Sequence, residues 1–338
     1  MTGPHPETWL KVQPAGLYCE PGGFYVDPAR PVDRAVITHG HSDHARSGHA
    51  AVLTTAATAA IMGVRYGSDF ASQVQTLPYG QAIRINDVSV TLLPAGHILG
   101  SAQVLLEHAG NRVVISGDFK RRPDPTCEAF TPVSCDVFIT EATFGLPVFR
   151  HPPDQHELGR LLQSRETFPE RCHLVGVYAL GKCQRVMALL RAAGYDRPIY
   201  LHGALLALTK LYVQRGLDLG PFTLISGMTP NQLKGEIILC PPSALADRWS
   251  RRLPDPISAA ASGWMRVRAR ARQRGAELPL IISDHADWDE LLQTAEDVDA
   301  PEIWITHGRE DGLLHALTQS GRRARALSLI GRDEDEES

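Results

Sequence analysis

The chain has 338 residues, 43% hydrophobic and 21% charged, which excludes a disordered protein and leaves room for two domains of ordinary size. Its formal charge of −4 excludes a global attraction to nucleic acid, so any such binding must come from local basic patches. No run of 18 apolar residues occurs, and the start lacks a basic stretch followed by an apolar one, so neither a membrane span nor a signal peptide is expected.

In chain order, short apolar, β-branched runs end abruptly in a His, Asp or Glu. Residues 34–38 run into His39, and 88–93 lead through Pro94-Ala95-Gly96 to His97. Residues 112–116 lead through Gly117 to Asp118, and 136–140 run into Glu141. Residues 280–283 lead to Asp284-His285, and 302–306 run into His307. Runs of this kind predict strands buried on both faces. Polar residues just past their ends belong at the carboxyl edge of a layered α/β sheet, where ligands bind.

Between the fourth and fifth strand ends lies a stretch of a different kind. A strand is expected at 174–180, a turn at Gly181-Lys182 and a helix at 183–193, then a strand at 198–201 and a helix at 204–215. Repeated strand–Gly–helix units predict an inserted βα module of roughly 130 residues. The expected division is 1–145 with 279–338 for the main domain and 146–278 for the insertion. Six cysteines without a C-x-x-C pair argue against a zinc ribbon or a disulfide scaffold and point to reduced thiols in a cytoplasmic compartment.

The chemistry is concentrated in His39-Gly40-His41-Ser42-Asp43-His44. If extended, the segment would place His39, His41 and Asp43 on one side and His44 on the other, dividing four ligands between two ions. Imidazole nitrogens suit zinc and its first-row neighbours, and a carboxylate can bridge two ions. His97 and Asp118 alone could be a core histidine and a turn aspartate; in this context they read as further ligands, as does His307. Two ions held so can bind a shared water, lower its pKa and clamp the oxygens of an in-line displacement at phosphorus. A leaving alkoxide still needs a general acid, for which Glu141 and His285 are the candidates.

Nucleic acid would be held elsewhere. Gly181-Lys182 opening a helix offers N–H groups and an ammonium to a phosphate, although the P-loop spacing is absent. Arg266, Arg268, Arg270, Arg272 and Arg274 alternate, with Arg251 and Arg252 nearby. On one helix they would form a broad basic face, with stripes Arg266/Arg270/Arg274 and Arg268/Arg272. A solvated helix surface is the bland alternative. The acidic run 333–337 reads as a solvated end.

The histidine run with His97 and Asp118 resembles the signature of the metallo-β-lactamase fold. Thr140-Glu141-Ala142-Thr143-Phe144-Gly145, Ser283-Asp284-His285-Ala286-Asp287 and Thr306-His307-Gly308 resemble the three motifs of its β-CASP subdivision, which acts on nucleic acids. Residues 16–20, 116–127, 179–185 and 262–265 narrow the resemblance to bacterial ligase-associated DNA exonucleases, relatives of Artemis-type nucleases. The resemblance implies a four-layer αββα sandwich with the β-CASP module inserted after Gly145. His39, His41 and His97 would hold one metal and Asp43, His44 and His307 the other, with Asp118 bridging. His285 would be the acid oriented by Glu141, and Asp27 would buttress the metal loop, or else merely open a turn before Pro28. The implied cofactors are two divalent ions, zinc first and manganese second. The implied function is a DNA exonuclease acting from the 5′ side on single-stranded or end-containing DNA in repair, with an ATP-dependent ligase and a helicase as partners. A histidine at the third motif is more usual in relatives acting on RNA, so a ribonuclease of the same fold is the alternative. A small-molecule hydrolase would share the metal loop but has no use for Glu141, His285 and an arginine-rich stretch.

Overall fold

In the computed structural model, which describes residues 3–327, the chain divides into two compact units. One runs up to Val148 and resumes at His285; the other spans Phe149–Asp284. The acidic run 333–337 lies outside the described residues.

The first unit contains two mixed sheets. Six strands pair in chain order from Leu10–Gln13 to Ala71–Thr76, with Arg34–Val36 fourth. The other sheet has seven strands in the order Arg323–Ala326, Glu302–Gly308, Val137–Ala142, Asn111–Ile115, Ala102–His108, Val88–Pro94 and Ala82–Ile85. Residues from both sheets, among them Leu17, Phe24, Val36, Val90, Val104, Ile139 and Trp304, form one buried apolar cluster. A second cluster joins Leu105, Val114, Phe138 and Ile303 to Trp288, Leu291 and Leu313 of helices Trp288–Asp297 and Glu310–Gln319. A third joins Ala35, Ile37 and Val52 to Met62 of helix Ala56–Tyr66. The strands Val88–Pro94, Ala102–His108, Asn111–Ile115 and Val137–Ala142 carry the near-continuous apolar runs that burial on both faces demands, whereas the edge strands Ala71–Thr76 and Arg323–Ala326 are polar and largely exposed.

The register explains why the strand ends converge. Asn111–Ile115, Val137–Ala142 and Glu302–Gly308 are adjacent and parallel, with Ile115 opposite Ile139 and Ile139 opposite Trp304. Val88–Pro94 points the same way, because two antiparallel pairings separate it from Asn111–Ile115. The chain therefore leaves all four strands at one edge. There the amide of Ala102 donates to the Thr38 carbonyl at 2.8 Å, bringing the end of Arg34–Val36 alongside. One expected strand lies elsewhere: Leu278–Leu280 belongs to the other unit's sheet, and His285 is reached through a loop.

The second unit is built on a six-stranded, all-parallel sheet, in the order Phe222–Leu224, Ile199–Leu201, Ile237–Cys240, His173–Gly176, Ile257–Ala261 and Leu278–Leu280. Helices Asp154–Thr167, Lys182–Ala192 and Leu206–Gln214 alternate with its strands, as parallel connections require. His173–Gly176 is shorter than the 174–180 expected, since the amide of Cys183 donates to the Tyr178 carbonyl and turns the chain into the helix. No described helix is long and apolar enough to cross a membrane.

Candidate metal centre

The run His39–His44 is not extended. The amides of His44 and Ala45 donate to the His41 carbonyl at 3.2 and 2.7 Å, closing a tight turn. The side-chain alternation expected for a strand is therefore lost, and the rings of His39 and His44 lie 4.1 Å apart on the same cluster rather than on opposite sides. Gly117, with φ 56°, lets the loop bearing Asp118 pass so close that a Cβ there would sit 2.8 Å from the Thr38 side chain.

Donor atoms of His39, His41, His97 and Asp118 lie within 4.8 Å of one another, and so do those of Asp43, Asp118 and His307. Asp118 Oδ2 is 3.4 Å from Nε2 of both His39 and His44 and 3.9 Å from His97 Nε2. His44 Nε2 is 3.2 Å from Asp43 Oδ2, and His97 Nε2 is 3.0 Å from His41 Nδ1. His307 takes a left-handed backbone, φ 66°, and Gly308 follows with φ 97°, where a Cβ would meet the Ala142 carbonyl oxygen at 2.3 Å. All the expected ligands thus gather at one edge.

Electrostatics agrees with that geometry. Burial pushes the carboxyls of Asp43 and Asp118 up, but neighbouring His44 and His39 more than offset it and hold both well below the carboxylate range. Burial, reinforced by His285, His39 and His41, holds His97 well below its ordinary value, so its imidazole is neutral and its lone pair available. His39 Nε2 and Asp43 Oδ1 are buried and make no hydrogen bond among the described residues, a costly state unless a cation completes them. This N/O donor set fits divalent first-row cations.

Supporting contacts fix the ring orientations. Asp27 Oδ1 accepts from the Thr38 amide at 2.8 Å; its Oδ2 accepts from the Thr38 hydroxyl and from His44 Nδ1, each at 2.7 Å. Ser101 Oγ accepts from the amides of His97 and Ile98, shaping the His97 loop. Glu141 Oε1 accepts from the Phe119 amide, Glu141 Oε2 from the Thr143 hydroxyl, and His285 Nδ1 lies 3.0 Å from Oε2. Asp118, Glu141 and His285 place donors within 4.8 Å of one another. Sequence reasoning missed Thr38, Ser101 and Thr143; the first carries only its adjacency to His39, and the last only its place two residues after Glu141.

The expected nucleic-acid contacts fare differently. Lys182 is fully buried, with Nζ 2.5 Å from Asp284 Oδ1 and 3.0 Å from the Ile282 carbonyl. It neutralises an interior carboxylate, so the expected phosphate-facing ammonium is not what the structure presents. The arginines do not share one helix either. A 3-10 turn covers Gly263–Arg266 and the α-helix is only Arg268–Gln273, so the stripe Arg266/Arg270/Arg274 does not form. Arg268 and Arg272 are exposed, whereas Arg270 stacks on the Trp264 ring at 3.8 Å.

No family model matches the chain. It is 32% identical over 324 residues to a protein of Opitutus terrae named "Probable DNA ligase", covering 92% of this chain and 30% of that one. It is 34% identical over 122 residues to Endoribonuclease YSH1 of Kluyveromyces lactis (35% of this chain, 16% of that one). It is 29% identical over 218 residues to "Probable RNase MJ4" of Methanocaldococcus jannaschii (54% and 50%). The chain therefore spans under a third of the first two relatives. Among solved structures, a protein of unknown function from Enterococcus faecalis V583 aligns with TM-score 0.55 at 12% identity, over 89% of this chain and 80% of that one, a likeness of fold.

Proposed function

We propose, because the chain belongs to the β-CASP metallo-β-lactamase family, that it is a metal-dependent nuclease hydrolysing phosphodiester bonds at DNA ends from the 5′ side. The observation that carries the reading is the Glu141–His285 pair beside Asp118, within the cluster of buried donors. His39, His41 and His97 would hold one ion, Asp43, His44 and His307 the other, with Asp118 between them. Such ions, zinc or manganese, supply Lewis-acid charge and an activated water when bound. The protein's own part is proton handling: Glu141, fixed by Phe119 and Thr143, orients His285 through Nδ1, so that Nε2 is the nitrogen from which a proton can pass to a leaving oxygen.

The alignment with the ligase-named protein covers nearly the whole chain, which supports DNA and a ligase of the same repair system as partner. The endoribonuclease relatives and His307 support the second reading, an RNA-processing enzyme of the same fold. The three apolar clusters support an αββα layer order, and the all-parallel second unit, Phe149–Asp284, supports an inserted β-CASP module that takes in all of strand Leu278–Leu280 rather than ending at 278 as expected. Among the arginines, exposed Arg268 and Arg272 are the ones we assign to phosphate contact. A time course on 5′- and 3′-labelled single- and double-stranded DNA and RNA, with each metal added back to chelated protein, tests this reading. Mononucleotide release from labelled DNA 5′ ends is expected. Internal RNA fragments with intact DNA would replace it by the second reading, and no metal-dependent cleavage of either would overturn both.

A further inference from the structure

In the second unit, the carboxyl ends of adjacent strands Ile199–Leu201 and Ile237–Cys240 lead to one aromatic pair. His202 follows the first strand directly, and its amide donates to the Leu239 carbonyl at 2.9 Å. Trp249 follows the second through the 3-10 turn Pro242–Ala246 and meets His202 edge-to-face, with centroids 4.8 Å apart. Both rings are half-buried; Trp249 rests on the apolar cluster of Leu174, Ile238 and Cys240. Arg248, Arg251 and Arg252 flank the indole and are exposed. Their guanidiniums make no ion pair or hydrogen bond among the described residues. Asp247 is the one acidic side chain from 247 to 252, leaving that segment net positive in a chain of charge −4.

A single exposed arginine is commonly just solvated. Three without a partner within five residues, next in sequence to a partly exposed indole at the ligand-binding edge of a parallel sheet, call for an anionic ligand with flat apolar groups. A strand of unpaired nucleotides has that chemistry: phosphates for the guanidiniums and a base face for the ring. We propose that His202 and Trp249, with Arg248, Arg251 and Arg252, form a platform that grips single-stranded nucleic acid. The inference rests on the nucleic-acid reading above and adds a binding site built from residues other than the metal ligands. Base stacking and phosphate contact are sequence-tolerant, so the platform takes DNA and RNA strands alike.

The test is binding of fluorescent 12-nucleotide DNA and RNA strands and of a blunt duplex to the full chain, with EDTA present to stop cleavage. Replacing Arg248, Arg251 and Arg252 together with Gln removes only exposed charge. Single-strand affinity should fall, and the slope of log affinity against log salt should become shallower by about 2, at roughly 0.7 per lost phosphate contact. Trp249→Ala should weaken single-strand binding about 10- to 100-fold, the range of one base–aromatic stack, and duplex binding less; Trp249→Phe should restore most of it. An unchanged salt slope in the triple variant, or equal loss on strand and duplex in Trp249→Ala, overturns the platform. Hydrolysis of bis(4-nitrophenyl) phosphate by the unaltered protein tests the nuclease reading separately. Its absence counts against that reading and leaves the binding result standing.

Discussion

Asp27→Asn should separate the metal site from its support. Asp27 is 3% exposed and accepts three hydrogen bonds, from the Thr38 amide and hydroxyl and from His44 Nδ1. Its backbone is left-handed, φ 45°, which Asn tolerates as well as Asp, so the exchange adds no strain. With Oδ1 kept on the Thr38 amide, the new NH₂ group points at His44 Nδ1. Two donors cannot face each other, so the ring must move its proton to Nε2, the atom 3.2 Å from Asp43 and 3.4 Å from Asp118. A protonated Nε2 has no lone pair to give a cation. Outer-shell changes of this kind weaken metal affinity about 10- to 100-fold, or roughly 1.4–2.7 kcal/mol. Zinc affinity measured against a competing chelator should fall by that factor, while the metal-free protein melts within a few degrees of wild type. Affinity within twofold of wild type would refute the tautomer argument and reduce Asp27 to a turn residue.

Asp118→Ala removes the carboxylate shared by both donor groups, so cleavage of labelled DNA should fall by more than the roughly 100-fold of an outer-shell change, with strand binding retained. Lys182→Met removes the ammonium 2.5 Å from buried Asp284 and should lower stability by about 3–5 kcal/mol in denaturant melts. A loss of strand affinity at unchanged stability would instead restore a phosphate role for Lys182. Burial, with Arg165 and Arg171 nearby, holds His173 at about 4 against its ordinary 6.5. The unfolded chain therefore binds the extra proton between those values, this contribution to stability is lost as pH falls from 6.5 toward 4, and His173→Asn should flatten the stability profile across that window. Burial pushes the thiols of Cys19, Cys135, Cys172, Cys183 and Cys240 up to about 12, so iodoacetamide should label them only on unfolding.

What was legible in the sequence was whatever local chemistry decides. An apolar run ending in a His or Asp says where the chain leaves a buried sheet, and His97, Asp118, Glu141 and His307 could be placed on that ground alone. The conformation of 39–44 was not legible, because the hydrogen bonds from His44 and Ala45 to the His41 carbonyl compete with an extended path that the residue types allow equally. Nor was the position of His285, since Leu278–Leu280 pairs into a different sheet from the other strands and an apolar run does not name its partner.

Charge shows most sharply where local reading stops. Lys182 and Arg248 are both cations near the carboxyl edge of the same parallel sheet, and each is ambiguous as a letter. Asp284 settles the first from 102 residues away, by occupying the ammonium inside the protein. An interior cation with a carboxylate partner has no charge to spare for a phosphate, however well its neighbours suit one. Arg248, Arg251 and Arg252 have no such partner among the described residues, so their attraction is directed outward. Net charge and motif position cannot separate these cases. The location of the nearest carboxylate can, and for that reason the basic surface best suited to nucleic acid lies beside Trp249 rather than at the Gly181-Lys182 turn.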